Sequence, residues 1–489
     1  MLNTYLGQKG YTILKKEISF EQQQSIREEL LVKPYVHGAP VNTNVSFPVY
    51  RESNSKMYLP HYYGIKKFGT PQEIKIPDGI DIDLQFNGTL RDTQKIVVDT
   101  FIRHVTTEIV GGGLLELPCA FGKTILSINI ISLLKKKTLI IVHKEFLMNQ
   151  WIERINQFLP GARIGKIQGS IIDIEGKDIV LGMLQSLSMK EYPSSLFDTF
   201  GLTIIDEVHH ISSHTFSSAL FKLVTKYMLG LSATMTRKDG TTNVFKMFLG
   251  EVIFKGVRDE KHDVEVRAIE YSNTNEEFNK VIHDHRGNVQ YSTMISKLCE
   301  YNHRTEFILS ILVDMLKENP SQQIMMIAHN KNVLKYLYDA IAFRNICSVG
   351  YYLGGMKEHL LKETETKKVV IATFSMAAEA LDIKTLTTLI MVTPKTDIEQ
   401  SVGRILREKH SKPVVVDIID SHDIFQRQWL KRKTFYKKNN YKIIGIDNYH
   451  YKSDTSQWKI ISSEKQLKCD KDEKDSLLTG KCFLNIKKS

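Results

Sequence analysis

The sequence predicts an α/β protein with two tandem parallel-sheet domains, a small N-terminal α+β domain and a basic C-terminal extension. Three observations lead to this prediction. Short apolar runs alternate with helical stretches over residues 89–255, the alternation returns over residues 256–430, and neither flank shows it. Strands that are apolar throughout are typical of parallel sheets covered on both faces. A chain of 489 residues also exceeds the size of one compact core.

The domain boundaries follow changes in composition. Proline and glycine interrupt short aromatic and β-branched runs in residues 1–88, which contain one predicted helix and no catalytic constellation. From residue 431 onward the chain becomes polar and rich in lysine. The predicted strands of the two α/β domains are Thr138–Val142, Asp178–Gly182, Leu202–Asp206, Gln323–Ala328, Lys368–Thr373, Leu389–Val392 and Pro413–Asp417.

The composition favours a soluble protein of a reducing compartment. Hydrophobic residues make up 42% of the chain and charged residues 25%, as in ordinary globular proteins. No apolar run approaches the ~20 residues of a membrane span, and the N-terminus lacks the pattern of a secretory signal. The five cysteines are scattered without a Cys-x-x-Cys pair, which argues against zinc ribbons.

The net charge of +11 is concentrated at the C-terminal end, where residues 426–489 hold 16 Lys and Arg against 7 Asp and Glu. Basic residues recur there at helical spacing with aromatic residues between them, namely Lys431, Arg432, Lys433, Lys437 and Lys438 with Trp429, Phe435 and Tyr436. One interpretation is a stretch that holds a nucleic-acid backbone. The other is a helix that packs by its aromatic residues and leaves the lysines solvated.

A phosphate-binding loop is predicted at Leu117–Thr124, between a short apolar strand and a buried helix. In such a loop, backbone N–H groups and the helix N-terminus face the anion. Lys123 would reach the β- and γ-phosphates, and the Thr124 hydroxyl would coordinate Mg²⁺. Leu117 stands where the full pattern has its first glycine, and Gly-Lys-Thr alone is a weak signal.

The acidic pair Asp206-Glu207 follows another apolar strand. A carboxylate at a strand end can hold Mg²⁺ beside a nucleotide, and an adjacent glutamate can polarise the attacking water. The plainer alternative is an acidic turn. His209, His210 and His214 could instead be metal ligands, but no further Cys/His cluster completes such a site.

Two further segments add to the pattern. Ser232-Ala233-Thr234 follows an apolar strand, and its small hydroxyl residues suit a joint that couples nucleotide state to movement. Gln400–Arg407 places Arg404 and Arg407 three residues apart on one helix face. Arginines can stabilise the charge of a transferring phosphoryl group. Taken singly, either segment could be an ordinary turn or a surface helix.

The order of these motifs resembles that of the superfamily 2 helicases. The series runs from Leu90–Gln94 through Gly122-Lys123-Thr124, Asp206–His209 and Ser232–Thr234 to Thr373–Asp382 and Gln400–Arg407. The segment Gly230–Gly240, which includes Ser232–Thr234, resembles the extended third motif of the XPB and UvsW branch. Segments outside the core, such as Phe47–Arg51 and Phe86–Asp92, resemble helicases of large cytoplasmic DNA viruses, among them the poxvirus transcript-release DNA helicase.

This resemblance implies two RecA-like domains with ATP and Mg²⁺ bound in the cleft between them. It implies adenine contacts from Arg91 and Gln94, phosphate contacts from Pro118, Cys119, Ala120, Phe121, Gly122, Lys123 and Thr124, and Mg²⁺ contacts from Thr124 and Asp206. Catalytic roles are implied for Lys123, Asp206, Glu207, Gln400, Arg404 and Arg407. Nucleic-acid contacts are implied for His143, Lys144, Gln185, Ser186, His329 and Asn330, which follow predicted strands, and for Thr373, which ends one.

Two enzymatic functions remain open. The first is an ATP-dependent DNA helicase or translocase that serves viral transcription termination, replication or repair as a monomer. The expected locations are the cytoplasmic viral factory and the virion. The second is an ATP-dependent RNA helicase. His209 is compatible with both functions. The continuation Arg237–Gly240 favours the DNA helicase. A nucleotide-sensing scaffold without catalysis is a third class, which the presence of Lys123 and Glu207 argues against.

Overall fold

The computed structural model describes residues 3–34, 46–107, 110–118, 121–209, 214–235, 240–256, 263–379, 383–408, 410 and 412–462. The chain divides into two compact units, residues 1–259 and residues 260–489. Each unit is described by itself below.

The first unit begins with a small α+β module. Its strands form a five-stranded sheet in the order β5-β6-β2-β1-β7 and a separate β3–β4 pair. Apolar side chains on one face of the larger sheet, among them Leu6, Tyr11, Ile13 and Met57, form a buried cluster. The elements are β1 (Thr4–Gly7), β2 (Gly10–Leu14), α1 (Phe20–Glu29), β3 (Leu31–Val32), β4 (Phe47–Pro48), β5 (Arg51–Glu52), β6 (Lys56–Leu59), α2 (His61–Phe68) and β7 (Glu73–Ile74).

The rest of the first unit is built on an eight-stranded sheet in the order β11-β10-β12-β9-β13-β14-β8-β15. All its neighbouring strands are parallel except the β10–β11 hairpin. The strands are β8 (Gly111–Glu116), β9 (Thr138–Val142), β10 (Ile164–Gln168), β11 (Ile171–Asp173), β12 (Ile179–Met183), β13 (Leu202–Asp206), β14 (Tyr227–Ser232) and β15 (Val252–Lys255). The helices are α3 (Asp92–Thr107), α4 (Lys123–Leu134), α5 (Glu145–Phe158), α6 (Leu184–Met189), α7 (His214–Leu220) and α8 (Thr242–Leu249).

The sequence explains why this sheet is central. Every residue of β9 is buried, and β-branched residues of this kind suit a strand covered on both faces. α4 is apolar on nearly all sides, and Leu126, Ile128, Ile130 and Ile131 are fully buried. Because parallel strands all end at the same edge of the sheet, the loops after β8, β9, β12, β13 and β14 lie along one edge.

The second unit contains another eight-stranded sheet, in the order β18-β19-β17-β20-β21-β16-β22-β23, which is parallel except at β22–β23. Its strands are β16 (Glu265–Tyr271), β17 (Gln323–Ala328), β18 (Val349–Tyr352), β19 (Val369–Thr373), β20 (Leu386–Met391), β21 (Val414–Asp420), β22 (Lys442–Asp447) and β23 (Lys459–Ser462). Its helices are α9 (Glu276–Asn279), α10 (Tyr291–Glu300), α11 (Asn302–Glu318), α12 (Lys331–Phe343), α13 (Glu358–Glu365), α14 (Phe374–Glu379), α15 (Glu399–Gly403) and α16 (Asp423–Lys438).

The basic segment after residue 430 is partly built into this sheet. The boundary expected between residues 430 and 431 lies within α16, whose Trp429, Arg432 and Tyr436 are buried. Arg432 donates from Nε and Nη2 to the two carboxylate oxygens of Asp417, each at 2.8 Å, so it cannot contact a nucleic-acid backbone. β22 then pairs with β16. Lys431 and Lys438 are exposed, and the backbone-holding interpretation stays a prediction for the lysines alone.

The two parallel-sheet domains predicted from the sequence are confirmed. Within the described ranges, no helix is long and apolar enough to cross a lipid bilayer.

Candidate functional site

The loop after β8 enters α4 through Gly122, whose φ of 90° lies in the left-handed region. A Cβ at this position would collide with the side-chain amide of Gln94, so the backbone conformation and the available space both require glycine. The first N–H groups of α4 therefore point out of the helix end beside Lys123 and Thr124. Cys119 and Ala120 lie outside the described residues. Pro118, Phe121, Gly122, Lys123 and Thr124 are half-buried.

Arg91 and Gln94 hold this loop directly. Gln94 Nε2 donates to the carbonyl of Phe121 at 2.8 Å, and Arg91 Nη2 donates to the same oxygen at 2.6 Å. The Arg91 backbone N–H donates to Gln94 Oε1 at 3.0 Å. Both side chains therefore lie against the phosphate loop, and their adenine contacts stay a prediction.

The acidic pair lies at the end of β13, two strands from β8. Lys123 Nζ lies 2.9 Å from Glu207 Oε1, and the two side chains are only 16% and 18% exposed. Glu207 has a φ of 53°, which is uncommon for a residue with a Cβ. The structure thus brings together two residues 84 positions apart that the sequence predicts to be catalytic.

Asp206 is held by a residue that the sequence analysis missed. Trp151 Nε1 on α5 donates to Asp206 Oδ2 at 3.0 Å. Burial raises the pKa of the Asp206 carboxyl and the charge of Glu207 raises it further, while Lys123 and the Trp151 bond act in the opposite direction. A lone tryptophan on an apolar helix face reads as a core residue, so no sequence signal marked it.

The residues present fit a Mg²⁺ ion. Two adjacent carboxylates in a partly desolvated position repel one another, and a divalent cation would relieve this repulsion. A threonine hydroxyl and an aspartate oxygen are hard oxygen ligands, and Mg²⁺ bound with a nucleotide commonly takes only one or two protein ligands. Thr124 and Asp206 are the residues that would hold it.

A chain of polar contacts runs from Glu207 to the Ser232–Thr234 segment. His209 Nδ1 lies 3.4 Å from Glu207 Oε2 and 3.2 Å from Ser232 Oγ. Ser232 Oγ donates to the Thr234 carbonyl at 2.7 Å. Because the serine has only one proton to donate, His209 Nδ1 must be the donor to Ser232. Ala233 is buried and Thr234 is exposed.

The candidate nucleic-acid residues of the first unit come together where β9 and β12 end. Gln185 Nε2 donates to the carbonyl of His143 at 2.8 Å, and Ser186 Oγ accepts the N–H of Gly169 at 2.9 Å. The His143 side chain is 6% exposed. Lys144 is half-buried just before α5. The loops after β9 and β12 therefore lie in contact, and the side chain of His143 is buried.

The second unit likewise brings its candidate residues together. β17 and β19 are neighbours, with Ala328 opposite Thr373. His329 Nδ1 lies 2.9 Å from Thr393 Oγ1. Asn330 accepts the N–H of Asn332 at 2.7 Å and thereby begins α12.

The arginine motif has one buried member. Arg404 is 7% exposed, and its Nε donates to the carbonyl of Ala377 at 2.7 Å. Gln400 and Arg407 are half-buried. His210, the continuation Thr236–Asp239 and the segment Ala380–Asp382 lie outside the described residues. Among the described residues, no group of three or more His, Cys, Asp or Glu side chains is arranged to hold a metal ion.

Comparisons with known proteins show which family this chain is similar to. Residues 87–237 match the family described as "Type III restriction enzyme, res subunit". A protein of Acanthamoeba polyphaga mimivirus, named as a candidate ATP-dependent RNA helicase, is 34% identical over 454 residues, which cover 90% of this chain and 86% of that protein. A candidate helicase of Invertebrate iridescent virus 6 is 25% identical over 451 residues, covering 87% and 98% of the two chains.

A solved structure shows the same fold. S. cerevisiae Dbp5 bound to RNA and ADP BeF3 matches with a TM-score of 0.50 and 11% identity, over 76% of this chain and 92% of that chain. At this identity the match shows the fold alone, which is that of a RecA-like helicase. With the mimivirus relative matched over nearly its whole length, the chain belongs to the helicases of large DNA viruses, within helicase superfamily 2.

Proposed function

We propose that this protein is an ATP-driven motor that moves on or remodels DNA, with its ATP site at the loop after β8. The observation that carries the proposal is the ion pair between Lys123 and Glu207, at 2.9 Å. It joins the two groups that phosphoryl transfer requires, a cation for the phosphates and a carboxylate to orient the attacking water.

The same ion pair sets the order of events at the site. Lys123 and Glu207 neutralise one another before nucleotide binds. The phosphates of ATP compete for the ammonium of Lys123, and this competition frees the Glu207 carboxylate to accept a hydrogen bond from water. Thr124 and Asp206 would hold Mg²⁺, which when bound would supply further neutralisation of phosphate charge. Trp151 orients the Asp206 carboxylate through its indole N–H.

Coupling between ATP and movement runs through His209. When Glu207 leaves Lys123, its electrostatic contact with His209 Nδ1, at 3.4 Å, changes, and His209 is the donor that contacts Ser232. Ser232 in turn fixes the backbone at Thr234. The proposed catalytic roles of Gln400, Arg404 and Arg407 rest on the resemblance of their motif.

The choice of nucleic acid rests on the sequence of one segment. The continuation Arg237–Gly240 resembles that of DNA-acting members of the superfamily and supports DNA. RNA is the second candidate, because the mimivirus relative is named as an RNA helicase. We place the activity in viral transcription termination, replication or repair.

The test is ATP turnover by the full chain with Mg²⁺, measured with DNA and RNA oligonucleotides of the same mixed sequence. Stimulation by DNA but not RNA is the expected result. Stimulation by RNA alone would replace the first candidate with the second. Turnover that neither polymer stimulates would overturn the proposed motor function.

A further inference from the structure

The short segment after β20, residues 392–395, is fixed by three hydrogen bonds to its carbonyl groups. Arg304 Nη1 donates to the carbonyl of Val392 at 2.8 Å, and Tyr291 Oη donates to that of Pro394 at 3.2 Å. Arg432 Nη1 donates to the carbonyl of Lys395 at 3.1 Å. Four consecutive residues are thus held by three side chains from α10, α11 and α16.

The two arginines that hold the segment are themselves fixed. Arg304 pairs with Asp420 through two hydrogen bonds of 2.6 and 2.9 Å, and Arg432 pairs with Asp417 as described above. All four side chains are at most 1% exposed. Buried ion pairs contribute little net stability but impose a single geometry, and two-point arginine–carboxylate contacts are the most directional of them.

The segment meets two loops that carry predicted nucleic-acid contacts. Thr393 Oγ1 accepts the backbone N–H of His329 at 3.0 Å. The ring of His329 lies 4.6 Å from that of Phe374, and Lys395 Nζ lies 4.8 Å from the centroid of the Phe374 ring. Phe374 directly follows Thr373. The ends of β17, β19 and β20 therefore converge around the ammonium of Lys395.

The chemistry of this convergence suits an anion. Desolvation and the charge of Lys395 lower the pKa of His329 to about 4, so at neutral pH the histidine is uncharged and the lysine supplies the positive charge. Thr373 and Ser375 flank Phe374 in the chain, their hydroxyl oxygens lie 3.2 Å apart, and Ser375 is exposed. An ammonium over the ring between two hydroxyl residues suits a phosphodiester, which it can contact without reading sequence.

We propose that Lys395 is a backbone-phosphate contact for a single nucleic-acid strand and that Arg432 positions it through the carbonyl of Lys395. This inference rests on the proposed function, because it names a contact of the same nucleic-acid substrate. It also gives the basic residue Arg432 a structural role in place of a nucleic-acid contact. Arg432, which one of the two interpretations of the sequence assigns to nucleic-acid contact, instead acts from inside the unit on Lys395.

The test is the salt dependence of binding to a mixed-sequence single-stranded oligonucleotide by the full-length chain. Lys395→Met keeps the aliphatic stem over Phe374 and removes the charge. The slope of log K against log salt should fall in magnitude by about 0.7, the value for one lost phosphate contact on a single strand. Lys395→Arg should restore it. Lys335→Met, at an exposed position on α12, is the matched control and should leave the slope unchanged.

The outcomes separate the possible failures. An unchanged slope in Lys395→Met, with wild-type binding intact, overturns the assignment of Lys395 alone. A raised KM for ATP with an unchanged slope assigns the lysine to nucleotide phosphate instead. A wild-type chain that shows neither strand binding nor stimulated turnover overturns the proposed function first.

The positioning role of Arg432 is tested by Arg432→Lys, which keeps the buried charge but loses the two-point geometry. The slope should fall as in Lys395→Met, and the double variant should show no further fall, because both changes remove the same contact. A merely structural role would lower the melting temperature and leave the slope as in the wild type, which would overturn the positioning assignment.

Discussion

Removing Arg304 should destabilise the second unit strongly. Arg304 and Asp420 are both fully buried and joined by two short hydrogen bonds. Arg304→Met keeps most of the volume but leaves the Asp420 carboxylate without its cation. Breaking a buried pair from one side costs about 3–5 kcal/mol. For a unit of roughly this size each kcal/mol lowers the melting temperature by about 2–4 °C, so the expected loss is about 6–20 °C.

The assay is thermal unfolding of the full chain, followed by circular dichroism or calorimetry. Arg344 is the matched control, because it makes the same two-point contact with Glu306, at 2.7 and 2.8 Å, on the surface. Arg344→Met should shift the transition far less, since exposed pairs are solvated in either state. The double variant Arg304→Met/Asp420→Leu should recover most of the loss, because no buried charge is left unpaired. Equal losses in Arg304→Met and Arg344→Met would refute the argument that burial sets the cost.

Three further predictions concern the ATP site and pH. Lys123→Ala should fold but lose ATP turnover, because the ammonium that meets the phosphates is gone; near-normal turnover would remove the phosphate-loop assignment. Glu207→Gln should retain ATP binding, measured with a fluorescent analogue, while turnover falls by about 10²–10⁴-fold, the range for loss of a general base; fast hydrolysis would move that role elsewhere. Burial lowers the pKa of His61 to about 4, so as the pH falls the imidazole is protonated in the unfolded chain before it is protonated in the folded one. The neutral, buried His61 therefore contributes about 3 kcal/mol to the free energy of unfolding above the ordinary pKa of about 6.5, and this contribution is lost as the pH falls towards 4. His61→Phe should remove this part of the pH dependence of unfolding, and an identical dependence in both proteins would assign it to other groups.

The strands that the sequence predicts are those with several consecutive apolar residues. Thr138–Val142 and Leu202–Asp206 have the predicted bounds, because burial on both faces favours apolar side chains along the middle of each run. β16 was missed because it carries Glu265 and Arg267. Both are buried, 2% and 3% exposed, and they bond to one another, with Arg267 also reaching Glu318. When the partners of charged residues are not known, a segment that contains them is predicted to lie at the surface and not in a buried strand.

Contacts between residues that are distant in sequence were also missed at the candidate ATP site. Short motifs predict roles for Lys123 and Glu207, since phosphate chemistry requires those residue types in that order, and the structure brings their side chains together. The contact from Trp151 to Asp206 joins residues 55 positions apart, and no local pattern records it. Arg432 was expected at the surface because it lies in a basic run, whereas its partner Asp417 lies on β21, 15 residues earlier in the chain.

The position of β16 in the second sheet has a consequence for synthesis of the protein. β16 comes first in this unit, yet it pairs on one side with β21 and on the other with β22. Glu265 and Lys442, which lie opposite one another, are 177 residues apart. At ribosomal rates of about 5–20 residues per second, Lys442 is synthesised about 10–35 s after Glu265. During this interval the backbone N–H and C=O groups of β16 can pair with the strands of other nascent chains. A chain that terminates before Lys442 would keep that edge open permanently, so we expect such truncated products to aggregate rather than accumulate as folded fragments.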